Sequence, residues 1–157
     1  MLKKFGFNRI SLGIQDFRLD VLEGINRKPS KHPIKKIIKK ISDEGFTGTN
    51  IDLVYGLPYQ TPESFSNTVD KAIELNTDRI VTFSYAHVPS ILPRQKILEK
   101  IGFPSSSEKA MMYETAYEKL VNAGYISIGM DHYSKPHDEF AVCLLYTSDA
   151  ADEVSWG

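Results

Sequence analysis

Ile10, Leu12 and Ile14 alternate with Arg9, Ser11 and Gly13, the period of two that a half-buried strand leaves in a sequence, and predict a first strand over about residues 8 to 14. Phe17, Val21, Leu22 and Ile25 follow at helical spacing, and the short helix they form must stop before Pro29. From Pro33 to Glu44, the isoleucines at 34, 37, 38 and 41 form one stripe and Lys35, Lys36, Lys39 and Lys40 fill the other side. Gly45 then ends this amphipathic helix. The lysines read as a solvated helix face rather than a phosphate-binding stripe.

A second strand is expected from Asn50 to Tyr55, closed by the turn Gly56-Leu57-Pro58. Thr61 offers an N-cap, Pro62 suits the first helical position, and Phe65, Val69, Ala72 and Ile73 share one face. Arg79 to Tyr85 reads as a third strand. The stretch AHVPSILPRQ after it reads as an irregular loop, long enough to carry function. A long helix is expected over about Ser106 to Asn122, capped by the serines at 105 to 107 and stopped by Gly124. Tyr125 to Met130 is a candidate short strand with Asp131-His132-Tyr133 behind it.

Strands that alternate with helices imply right-handed crossovers and a parallel sheet, an α/β fold that is either open or barrel-like. Both place ligands at the C-terminal strand ends, where Gln15, Asp16, Gly56 and Tyr85 to His87 fall. Asp52 sits lower, inside its strand. If Ile51 and Leu53 face covering helices, Asp52 and Val54 face the other way. In an open sheet that face is also packed under helices, whereas a barrel interior with a polar ligand gives the carboxylate a home. The structural alternative is a buried ion pair of Asp52 with Arg79 or Arg9.

Composition narrows the function classes. With 19 basic and 20 acidic residues the net charge is −1, which argues against nucleic acid or an anionic membrane as partner. No apolar run approaches the roughly 20 residues that span a bilayer, and the N-terminus has no signal-peptide core, so the chain reads as cytoplasmic. Its one cysteine, Cys143, excludes an intrachain disulfide and any site built from several local thiolates of this chain.

Taken together, NRISLGIQDF, INR at 25 to 27, NIDLVYGLP, QTPESF, YAH at 85 to 87 and GMDHYSKPHDEFA resemble the oxygen-independent coproporphyrinogen III oxidases, radical S-adenosylmethionine (SAM) enzymes of haem synthesis. The resemblance runs from about Phe5 to Val142. It implies a partial TIM-like barrel of about six strand-helix units, parallel strands alternating with helices, with a [4Fe-4S] cluster and SAM near its open end. The family's cluster is held by a Cys-x3-Cys-x2-Cys loop that this sequence does not contain. Residues 1–142 would therefore be a central fragment of the barrel with the start of the C-terminal region, expected inactive by itself. CLLYTSDAADE resembles a translated sequencing adapter, so residues 143–157 are expected to be a non-native tail.

By this resemblance Gln15, Arg27, Asp52 and Ala86 fall on SAM-contacting positions. An arginine fork suits the methionyl carboxylate, glutamine and aspartate suit ribose hydroxyls or the amino group, and an alanine lets backbone approach adenine. The plainer reading of Gln15 and Arg27 is that they cap helices and face solvent. His87 and His132 are expected near the porphyrinogen pocket and His137 at the surface, none as a metal ligand. For the intact enzyme the resemblance implies a porphyrinogen substrate, an electron donor, a monomeric state, and oxidative decarboxylation of propionate side chains to vinyl groups. A related radical SAM haem chaperone is the competing assignment. Asp16 in IQDF and the GMDHY segment favour the oxidase.

Overall fold

The structure, a computed structural model, describes residues 2–143. The expected adapter-like tail, apart from Cys143, lies outside the described residues. After a 3-10 turn at Leu2–Phe5 come strand β1 (Arg9–Gln15), helices α1 (Leu19–Gly24) and α2 (Ile34–Asp43), strand β2 (Gly48–Tyr55), helix α3 (Pro62–Glu74) and strand β3 (Arg79–Ser84). A 3-10 helix at Pro93–Lys100 precedes helix α4 (Ser106–Asn122) and the short strands β4 (Ile126–Gly129) and β5 (His132–Ser134).

The five strands form one sheet in the order β1-β2-β3-β5-β4. The first three run parallel, Gly13 opposite Asp52 and Asp52 opposite Val81, as strand-helix alternation requires. β5 and β4 are antiparallel to their neighbours, which departs from the parallel sheet read from the pattern. The cause is local: only Met130 and Asp131 join β4 to β5, both with φ in the left-handed region (48° and 62°). A two-residue turn of this kind can connect only antiparallel strands.

One sheet face carries the core. Ile51, Leu53 and Tyr55 of β2 meet Phe65, Val69 and Ala72 of α3 and Met112, Ala116 and Leu120 of α4, with Tyr133 closing the far side. The larger aliphatic side chains and Phe65 each contribute roughly 1.5 to 3 kcal/mol when fully buried. Both long helices start at capping boxes: the Ser64 amide donates to Thr61 Oγ1 (3.1 Å) and the Glu108 amide to Ser105 Oγ (3.2 Å). The stretch read as wholly irregular is ordered from Pro93 onward, where proline begins the 3-10 helix.

The opposite end of the sheet is clasped by one carboxylate. Asp138, buried, accepts hydrogen bonds from Arg9 at the start of β1 and, at 2.7 Å, from Arg79 Nη2 at the start of β3. The Phe140 amide donates to Asp138 Oδ1 (3.0 Å), and the Phe140 ring lies 3.8 Å from the Arg79 guanidinium carbon.

Two core tyrosines set the alkaline limit. Tyr125, whose hydroxyl donates to the Thr77 carbonyl at 2.8 Å, and Tyr133 have phenols pushed up to about 12, chiefly by burial. The unfolded chain ionises them near 10, so the stability they provide is complete below about pH 10 and is lost as pH rises toward 12. Urea midpoints should be level from pH 8 to 9.5 and fall steeply above it. A Tyr133→Phe variant that kept the same alkaline slope would contradict this.

Candidate functional site

The C-terminal ends of the three parallel strands open on a cavity of about 1220 Å³. Gln15 from β1, Val54 from β2 and Tyr85 just past β3 line it, with Glu23 of α1 on one side and Arg94 and Leu98 of the 3-10 helix on another. Gly56, at φ 81°, turns β2 away, and a Cβ there would stand 2.7 Å from the Lys109 side chain. Lys109 spans this turn and donates from Nζ to the Tyr85 carbonyl at 3.0 Å, fastening the end of β3 to α4.

Gly13 is the point where the polar candidates meet. It pairs with Asp52 across β1 and β2, and its carbonyl accepts a hydrogen bond from Arg27. A Cβ on Gly13 would stand 2.8 Å from Gln15 Nε2 and 3.4 Å from Arg27 Nη2. Register slips between Gly13 and Gln15, so that the strand bulges, and Gln15 takes a left-handed φ of 64°. That bulge lays the Gln15 side chain over the Gly13 position, on the face Asp52 shares. Gln15 Oε1 is buried with no hydrogen-bond partner among the described residues.

Asp52 forms no ion pair with Arg9 or Arg79, both of which are committed to Asp138. Its carboxylate accepts from Ser11 Oγ (3.0 Å) and Asn50 Nδ2 (2.7 Å), neutral donors on the sheet face opposite the helices. The structure therefore brings Gln15, Arg27 and Asp52 around one glycine. Arg27 also borders a second cavity, about 670 Å³, between β1 and the segment from α1 to α2. Ala86 stands apart, beyond the end of β3. It is exposed, and its carbonyl accepts from Gln95 Nε2 (3.0 Å) while Gln95 Oε1 accepts from the Val88 amide (2.6 Å).

Other polar residues resolve into supports. Asp16 is buried and accepts from Gln60 Nε2 (2.7 Å), Thr68 Oγ1 (2.8 Å) and the Arg18 amide (2.9 Å), which pins the Gly56–Gln60 turn to the end of β1. His87 packs against Phe103 (4.6 Å between centroids) and reaches Glu99 at 3.0 Å. His132 stands edge-on to Phe83, and His137 is exposed beside Asp78. Among the described residues no group of three or more His, Cys, Asp and Glu side chains could hold a metal ion, and no helix is long and apolar enough to cross a membrane.

Residues 1–72 match the family model of the radical SAM superfamily. Over 141 residues the chain is 44% identical to the oxygen-independent coproporphyrinogen III oxidase of Salmonella typhimurium and 43% identical to that of Escherichia coli K12, covering 90% of this chain and 31% of each relative. The relative from Thermostichus vulcanus is 41% identical over 140 residues, 43% of its own length. Among solved structures, the coproporphyrinogen III oxidase of Escherichia coli, a radical SAM enzyme, superimposes with a TM-score of 0.85 at 43% identity, over 90% of this chain and 33% of that one. The chain spans about a third of the length of the Salmonella and Escherichia relatives.

Within the segment that matches the radical SAM family model lie β1, its bulge, Arg27 and all of β2. The strand ends and their cavity carry the features a SAM-sized ligand needs. Gln15 offers a buried acceptor with no partner among the described residues, the absence of a side chain on Gly13 lets Gln15 and Arg27 close in over the strand, and Asp52 pairs with Gly13 from β2. The residues present fit SAM. Sequence reasoning missed Gly13, although an isolated glycine in a strand signals a bulge or a close approach. Gln60, Lys109 and Arg94 left no local signal, because their roles depend on elements distant in the chain.

Proposed function

We propose that this chain is the SAM-binding section of an oxygen-independent coproporphyrinogen III oxidase. The convergence of Gln15, Arg27 and Asp52 on Gly13 carries the reading, supported by 41 to 44% identity to relatives that bear that name. Arg27 holds the methionyl carboxylate in a charge-assisted pair, its backbone bond to Gly13 setting the direction of the fork. Gln15 and Asp52 orient the ribose hydroxyls or the amino group, Asp52 keeping its negative charge available because its own donors are neutral. Backbone at Ala86 approaches the adenine. Bound with a reduced [4Fe-4S] cluster, SAM supplies the hydrogen-abstracting radical chemistry that converts propionates to vinyl groups. The side chains closing the strand ends, Tyr85 and Leu57 among them, exclude water from that chemistry.

In this reading the substrate is a porphyrinogen, the further partner is an electron donor, and neither nucleic acid nor membrane takes part. The intact enzyme, in this reading, works as a monomer in the cytoplasm.

The test is a chimera in which residues 2–142 replace the matched segment of the Escherichia coli relative. Purified anaerobically and supplied with SAM and a reductant, it should convert coproporphyrinogen III to protoporphyrinogen IX. A folded chimera that cleaves SAM without decarboxylating, or that binds haem instead, would overturn the oxidase assignment.

A further inference from the structure

The cavity at the strand ends has charge on two sides that the SAM contacts leave unused. Asp20 and Glu23 of α1 line one side, Asp20 already paired with Arg18. Arg94 lines another side and has no hydrogen bond or ion pair among the described residues. It is the cavity's only lining lysine or arginine among those residues, and it follows Pro93 at the first turn of the 3-10 helix. Between the two sides the lining is apolar and aromatic, with Ile97, Ile101, Leu57 and Tyr59. Tyr85 Oη, like Gln15 Oε1, is buried without a hydrogen-bond partner among the described residues. At about 1220 Å³ the space exceeds the roughly 300 to 1,000 Å³ of a drug-sized ligand site.

We propose that Arg94 is a carboxylate anchor for the second, larger ligand of this cavity, a planar or ruffled macrocycle with acidic side arms. The apolar lining takes the ring, and the guanidinium fork takes one peripheral carboxylate in a bidentate pair. The acidic α1 side repels carboxylates, so the charges fix which edge of the ring turns toward the 3-10 helix. Arg27 lies at Gly13 on the far side of Gln15, which leaves the two arginines separate carboxylates to hold. This assignment rests on the reading above that the ligand is a propionate-bearing porphyrinogen.

Coproporphyrin III, a fluorescent tetracarboxylate, and its tetramethyl ester are the probes, titrated into the 157-residue chain at low ionic strength. The chain should bind the acid at least tenfold more tightly than the ester, roughly the worth of one charged hydrogen bond. Arg94→Gln should weaken acid binding by about tenfold or more and leave the ester unmoved, and Arg94→Lys should fall between. Lys100→Gln, which removes a charge from the same 3-10 helix outside the cavity lining, should bind like the parent. Equal binding of acid and ester, an Arg94→Gln variant that binds like the parent, or a Lys100→Gln variant as impaired as Arg94→Gln would overturn the anchor. If the chimera still decarboxylates, only the anchor falls. If it does not, the porphyrinogen reading falls with it.

Discussion

Asp138→Asn should cost the folded chain about 3 to 5 kcal/mol, because it leaves two guanidinium groups without their carboxylate. Arg79 is only 9% exposed, and its remaining neighbour is the Phe140 ring, which cannot replace a full charge. Arg9 keeps Glu139 at 3.2 Å and loses less. The acid limb of stability should carry the same signature. Burial pushes the Asp138 carboxyl up, but the Phe140 amide and the two arginines outweigh it, so its pKa lies below the ordinary aspartate range. A depressed carboxylate contributes stability above its unfolded pKa and loses it as pH falls through about 4 and below. Guanidinium denaturation from pH 7 to pH 3 should show a slope in the parent that is shallower in Asp138→Asn. A loss under about 1 kcal/mol at pH 7 would mean the clasp is weak despite its burial.

The second large effect is all-or-none. Incubated anaerobically with iron and sulfide, the 157-residue chain should acquire no SAM-cleaving [4Fe-4S] cluster, since it has one cysteine and such a cluster needs three thiolates plus an open iron. The chimera, which regains the cysteine loop of its host, should turn brown and cleave SAM. In that chimera Asp52→Asn and Arg27→Ala should each weaken SAM cleavage by roughly 1 to 3 kcal/mol, the range for a hydrogen bond to a charged group. Absorbance near 400 nm and release of 5′-deoxyadenosine are the measurements. A SAM-cleaving preparation of the chain alone, or full turnover in the double variant, would defeat the assignment of these residues.

Much of this architecture was legible because the strong signals are local. The isoleucine stripe of α2, the Thr61-Pro62 start of α3 and the Ser105 cap of α4 each lie within a few residues of what they determine. Alternation at 51 to 55 also separated Asp52 from the core, since parity is a property of the strand alone. What stayed hidden needed partners far away in sequence. Arg9 and Arg79 looked like possible mates for Asp52, yet the carboxylate they share lies more than 50 residues from either. The bulge that turns Gln15 toward Gly13 changes register without changing composition. The hairpin at Met130-Asp131 was opaque for another reason: neither is glycine, so the left-handed turn had no sequence flag. The SAM candidates themselves came from resemblance, whereas Lys109, which fastens the end of β3 to α4, lay in no stretch that carried it.

The clasp at Asp138 has one more consequence. It joins residues 129 apart, so the chain returns to the place where its first strand begins. A stretch whose ends meet can be lifted out and set into a larger protein without pulling its insertion points apart, the property that makes domain insertion and circular permutation tolerable. Asp138 is thus a buckle between the start of β1 and the segment after β5, and the exposed loop around residues 28 to 33 is where the chain could be reopened without undoing it.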